Sequence, residues 1–124
     1  MILKVREKAW ELYRKIEQKE HNLQYLFFEI TKKCNLNCLH CGSDCKADHF
    51  APELTTESWL KIVDYVKNHF GNDVVFVISG GEPLIHPDIF TIGRHIADSG
   101  MKWGMVTNGM ALDEKCMDNL INSG

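Results

Sequence analysis

Along residues 3–20, Val5, Ala9, Leu12, Tyr13 and Ile16 recur at helical spacing among Lys, Glu and Arg, with no Pro or Gly between them. The pattern predicts a helix that lays one apolar stripe on the domain. His21-Asn22-Leu23-Gln24 breaks the period, and the aromatic and β-branched run Tyr25–Thr31 then reads as a strand. A polar loop over residues 46–53 leads to Thr55 or Thr56 as helix N-cap, with Glu57 in the first turn. Leu60, Val63, Val66 and Phe70 follow on one face, and Gly71-Asn72 stops the helix. Residues 74–78, Val-Val-Phe-Val-Ile, form a continuous apolar run of the kind a parallel strand buried on both faces requires. Pro87 is expected at the first position of the next helix, with Ile89, Ile92 and Ile96 inward and Gly100 as its C′ residue. A third strand is expected over residues 102–107. A third βα helix opens at Asp113 and should turn Cys116, Met117, Leu120 and Ile121 inward.

One helix followed by three βα units predicts an α/β fold with parallel strands. In such sheets ligands gather at the carboxyl ends of the strands. All three predicted strands end in residues with chemistry: Cys34 onward, Gly80-Gly81-Glu82, and Thr107-Asn108-Gly109. Topology alone therefore brings these distant residues to one pocket.

Composition narrows the setting more than the chemistry. A net charge of −3 with no basic stripe argues against nucleic acid as a partner. The apolar runs are too short to span a bilayer, and residues 1–8 alternate charged and apolar positions without a signal-peptide core, so a cytoplasmic protein is expected. Four of the five cysteines fall within residues 34–45, which reads as metal ligation in a reducing compartment rather than as a disulfide framework.

Cys34, Cys38 and Cys41 are spaced as CxxxCxxC, and thiolates this close on a loop can converge on zinc or on an iron–sulfur cluster. With Cys45 as a fourth ligand, a zinc knuckle or a closed electron-transfer cluster is arithmetically open. Neither has a use for Gly80-Gly81-Glu82-Pro83. The combination of a strand, a CxxxCxxC loop, a helix and a second strand ending in GGEP resembles the radical S-adenosylmethionine (radical SAM) enzymes, from about Tyr25 onward. Thr107-Asn108-Gly109 resembles the subgroup that carries a SPASM or twitch extension.

The resemblance implies a partial (β/α)6 TIM-like barrel, of which this chain supplies roughly the first half: a helical extension over residues 1–24 and the start of the core over residues 25–124. It implies that Cys34, Cys38 and Cys41 hold three irons of a [4Fe–4S] cluster, whose open iron is chelated by S-adenosylmethionine. Reductive cleavage would then give a 5′-deoxyadenosyl radical that abstracts hydrogen from a peptide, cofactor precursor or other small molecule. A flavodoxin- or ferredoxin-type electron donor is implied as well. Gly80 and Gly81 are expected to let main chain approach the ligand, Glu82 to accept from the methionine ammonium, and Pro83 to fix the turn. His40 could stack on the adenine. Thr107 and Asn108 either meet the cofactor or form a plain Asn-Gly turn.

Cys45 and Cys116 are expected as packed thiols, Trp10, Trp59 and Trp103 as packing residues, and His86 and His95 as helix-start and helix-face residues without catalysis. Three strands cannot close a barrel. The chain is therefore expected to be part of a longer protein, inactive by itself and prone to self-associate through an unpaired sheet edge.

Overall fold

The computed structural model describes residues 2–48, 50 and 52–124; His49 and Ala51, in the loop over residues 46–53, lie outside them. Helix α1 (Ile2–Glu20) precedes β1 (Tyr25–Thr31), α2 (Thr56–Phe70), β2 (Val75–Gly80), a 3-10 turn (Pro83–Ile85), α3 (Ile89–Asp98), β3 (Lys102–Met105) and α4 (Glu114–Asn122). The three strands form one parallel sheet in the order β1-β2-β3. Phe28 stands beside Ile78 and Ile78 beside Met105, so one face of the sheet is apolar across its width. Parallel pairing places all three strand ends on one side. No helix among the described residues is long and apolar enough to cross a membrane.

Caps explain most of the boundaries. The Thr55 hydroxyl accepts from the Ser58 amide at 3.2 Å, and Gly71 (φ 83°) lets the chain leave α2. Asp113 accepts from the Cys116 amide at 2.7 Å and starts α4. Helix α3 starts two residues after the position expected from Pro87. Asp88 occupies the cap position, but its carboxylate accepts from the Thr56 hydroxyl at 2.6 Å and makes no cap bond to its own helix. The Asp88 amide instead donates to His86 Nδ1 at 3.2 Å, so the chain remains a turn until Ile89.

The core lies between one face of the sheet and helices α2 and α3. Phe28, Ile30, Phe76 and Ile78 meet Trp59, Val63 and Val66 of α2 and Ile89, Ile92 and Ile96 of α3. Phe28 packs edge-on to Phe76 and tilted to Trp59, with ring centroids 4.9 Å apart in both pairs. Such pairs contribute about 0.5–1.5 kcal/mol each beyond their burial. The other face is open. Phe27 is 66% exposed, and Val75 and Val77 are only half-buried. The expectation that residues 74–78 are buried on both faces is thus corrected, because both helices cover the same side.

Two helices also depart from expectation. Helix α1 has the predicted stripe, yet none of its residues is buried, and Trp10 is exposed rather than packed. Helix α4 buries no residue either; Met117 and Ile121 are exposed, while Cys116 and Leu120 are half-buried. Strand β3 is a sheet edge, so α4 leans on α3 and is tied to β3 by the Trp103 indole N–H donating to the Ser123 carbonyl at 3.2 Å.

Gly93 lets α3 sit on β3, since a Cβ there would overlap the Trp103 ring. Helix propensity alone would favour Gly93→Ala by about 1 kcal/mol. Overlap with a half-buried indole costs about 1–3 kcal/mol. Gly93→Ala is therefore expected to lower the urea midpoint and alter Trp103 fluorescence; a raised midpoint would show that the ring yields freely.

Candidate functional site

The cysteine loop leaves β1 and is closed at its base by main chain. The Cys34 amide donates to the Lys46 carbonyl at 3.2 Å, and the Lys46 amide donates to the Lys32 carbonyl at 3.3 Å. Thr31 is buried at the root; its hydroxyl donates to Glu53 and accepts from the Lys33 amide at 3.0 Å. Lys33 also reaches Glu53 at 3.7 Å. Beyond this root the loop turns on itself, the Cys41 amide donating to the Cys38 carbonyl at 3.1 Å.

All five cysteines are free; Cys38 and Cys41 are exposed, Cys34 is half-buried and Cys45 is buried. Backbone N–H groups of Cys45 and Ser43 hold the Cys41 thiol below the usual thiol range. Burial pushes the Cys45 thiol up, and the neighbouring Cys41 and Cys34 charges add to it. Cys45 thus packs under the loop beside two of the expected ligands. Three soft sulfur donors on one short loop have the chemistry an iron–sulfur group needs. Among the described residues, no three His, Cys, Asp or Glu side chains are grouped to hold one ion.

The Gly80–Pro83 turn lies directly against the loop root. The Gly81 amide donates to the Thr31 carbonyl at 2.7 Å, and the Glu82 amide donates to the Lys33 carbonyl at 2.9 Å. A Cβ on Gly80, whose φ is 127°, would strike the Thr31 main chain, and one on Gly81 would strike that of Lys33. The glycines therefore serve a close approach between two strand ends, where approach to a ligand was expected. Pro83 is buried and opens the 3-10 turn.

Glu82 differs most from expectation. It is 0% exposed. Its Oε1 accepts from the Leu84 amide at 2.9 Å and the Thr107 hydroxyl at 2.7 Å, and its Oε2 accepts from the Asn108 amide at 2.7 Å. A carboxylate so engaged acts as a bracket between the ends of β2 and β3. The expected side-chain contact to a methionine ammonium is not the one this geometry offers.

Asn108 completes the enclosure. Its Nδ2 lies 2.8 Å from Asn35 Oδ1 and 3.8 Å from Cys34 Sγ, while its Oδ1 accepts from the Met110 amide at 3.0 Å. Thr107-Asn108-Gly109 is thus more than a plain turn, because it joins β3 to both Glu82 and the first cysteine. His40 sits exposed in a turn of the loop. Asn35 and Thr31 escaped sequence reasoning, and no spacing rule could have found Asn35, whose partner lies 73 residues on. His86 is buried in the turn before α3, and His95 pairs with Asp64 at 2.7 Å on the helix face.

The model of the family described as "Radical SAM superfamily" matches residues 28–124. AdoMet-dependent heme synthase of Methanosarcina barkeri is 37% identical over 97 residues, 78% of this chain and 27% of that protein. PqqA peptide cyclase of Granulibacter bethesdensis is 30% identical over 105 residues, 80% of this chain and 26% of that protein. Among solved structures, Streptococcus suis SuiB bound to S-adenosylmethionine has a TM-score of 0.69 at 18% identity, covering 95% of this chain and 28% of that one. The chain spans about a quarter of the length of the curated relatives it matches.

Replacing Glu82 by Gln turns one of its two acceptor oxygens into an N–H donor that faces a protein donor, so both lose a partner. Each buried donor left unpaired costs about 1–3 kcal/mol. Glu82→Gln should therefore lose about 2–4 kcal/mol in chemical denaturation. A variant as stable as the wild type would remove the bracket role.

Proposed function

The chain belongs to the radical SAM superfamily, and on that footing we propose that residues 25–124 begin the core of such an enzyme, with residues 1–24 a helical extension outside it. The three parallel strands are the start of that family's partial barrel. The family uses a [4Fe–4S] cluster and S-adenosylmethionine. When bound, the pair supplies reductive cleavage of the sulfonium to a 5′-deoxyadenosyl radical, which takes hydrogen from a substrate.

In our reading Cys34, Cys38 and Cys41 would hold the cluster. The turn made by Gly80, Gly81, Glu82 and Pro83 forms the shelf beside it. Main chain, not the Glu82 carboxylate, is what this shelf offers a cofactor. His40 stacks on the adenine from the loop, and Thr107 and Asn108 wall the far side. One observation carries the assignment: the loop root is hydrogen-bonded to Gly81 and Glu82, and Asn108 reaches Cys34 from β3.

For the whole protein we propose a hydrogen-abstracting enzyme acting on a peptide or a cofactor precursor. The names of its relatives support both classes: PqqA peptide cyclase and SuiB bound to precursor peptide SuiA on one side, heme synthase and Fe-coproporphyrin III synthase on the other. An electron donor of flavodoxin or ferredoxin type is required by the reduction. Free thiols throughout suit a reducing cytoplasm. Strands β1 and β3 each pair on one side only, and self-association of the 124-residue chain through them is part of this reading. Concentration-dependent sedimentation is its test, and a monomer at every concentration contradicts it.

Buried Cys45 beside Cys41 and Cys34 gives a four-sulfur module, zinc or a closed cluster, its one point of support. Anaerobic incubation with iron and sulfide separates the readings. About four irons and four sulfides per chain are expected, with a spectrum that responds to S-adenosylmethionine. Cys38→Ala should abolish uptake and Cys45→Ala should retain it. Equal loss from both variants, or one zinc per chain with no response, would favour the module.

A further inference from the structure

Resting on the cluster reading above, we propose that Asn108 is a positioning residue that sets the reduction potential of a cluster bound through Cys34. Its side-chain amide is oriented by its own network. Oδ1 faces the Met110 amide at 3.0 Å, which turns Nδ2 toward Asn35 Oδ1 at 2.8 Å and Cys34 Sγ at 3.8 Å. The Asn108 main chain is pinned in turn by Glu82 Oε2 at 2.7 Å. The donor is therefore presented from beyond the end of β3 by the buried carboxylate, and its Asn35 contact ties it to the cysteine loop.

Cys34 Sγ has a second donor, the Leu36 amide at 3.5 Å. That bond is local and travels with the loop, whereas Asn108 reaches Cys34 across 74 residues from another strand. The distinction bears on redox chemistry. Reduction adds negative charge to a cluster and to its thiolates, so an N–H aimed at a ligand sulfur stabilises the reduced form more than the oxidised one. Removing the donor should make the cluster harder to reduce without removing a ligand. The same geometry gives Glu82 an indirect hold on the cluster, through Asn108.

The test is an EPR-monitored redox titration of the reconstituted full chain, with Asn108→Ala and Asn108→Asp beside the wild type. Asp keeps the acceptor that faces Met110 but replaces the N–H donor by a carboxylate oxygen whose charge also opposes reduction, whereas Ala removes the donor without adding charge. Both variants are expected to bind wild-type amounts of iron and sulfide. At a fixed poise, the ratio of reduced to oxidised cluster should fall roughly three- to tenfold, a negative shift of up to about 59 mV for one electron. A structural role would lower the melting temperature or the iron content but leave the potential alone. Where one variant fails to load, the other supplies the measurement. An unchanged potential in a fully loaded variant overturns the inference, and so does loss of iron from both, which would assign Asn108 to holding the loop. A wild-type chain that takes up no iron and sulfide overturns the cluster reading itself, and this inference with it.

Discussion

A carboxylate with no exposure to water survives in a fold only when its oxygens are met by well-aligned donors. Glu82 is met by the Leu84 amide, the Thr107 hydroxyl and the Asn108 amide, and among the described residues it forms no ion pair. Two of these donors lie beyond the end of β3 and one in the turn after β2. The carboxylate can be satisfied only while those ends stay in register. Its own amide, bonded to Lys33, extends the constraint to β1. A single buried side chain thus fixes three strand ends against one another.

The chemistry of the loop gains from that rigidity. Cys38 and Cys41 are exposed, while Cys34 stands at the anchored base of the loop with Asn108 against it. Close packing of Gly80 and Gly81 on Thr31 and Lys33 leaves no room for a side chain between loop root and shelf. The glycines of the GGEP turn therefore have a structural reason of their own, apart from whatever binds there. The open face of the sheet, with Phe27 and Val77 on it, lies on the side away from the helices.

Local signals in the chain were legible because their physics is local. Tyr25–Thr31 reads as a strand from side-chain type, and Thr55, Asp113, Gly71 and Gly100 mark helix ends by capping alone. The cysteine spacing and the GGEP turn pointed to the family on which the comparisons converge. What escaped was decided across the chain. The start of α3 moved because Asp88 serves Thr56, 32 residues earlier. Glu82 reads as a ligand-facing acid until Thr107 and Asn108 are seen to claim it. The stripe on α1 was visible, but a stripe does not say what covers it, and nothing among the described residues buries any part of that helix.

Glu82 holds the end of β3 against the cysteine loop. Amide hydrogen exchange at Asn108 and Leu84 tests it most directly, because both amides donate to that carboxylate, Asn108 from beyond the end of β3 and Leu84 from the 3-10 turn. Exchange at both sites slowed well below solvated-loop rates, and released together in Glu82→Ala, which removes both acceptor oxygens, is the predicted result. Free exchange at Asn108 in the wild-type chain would contradict the account.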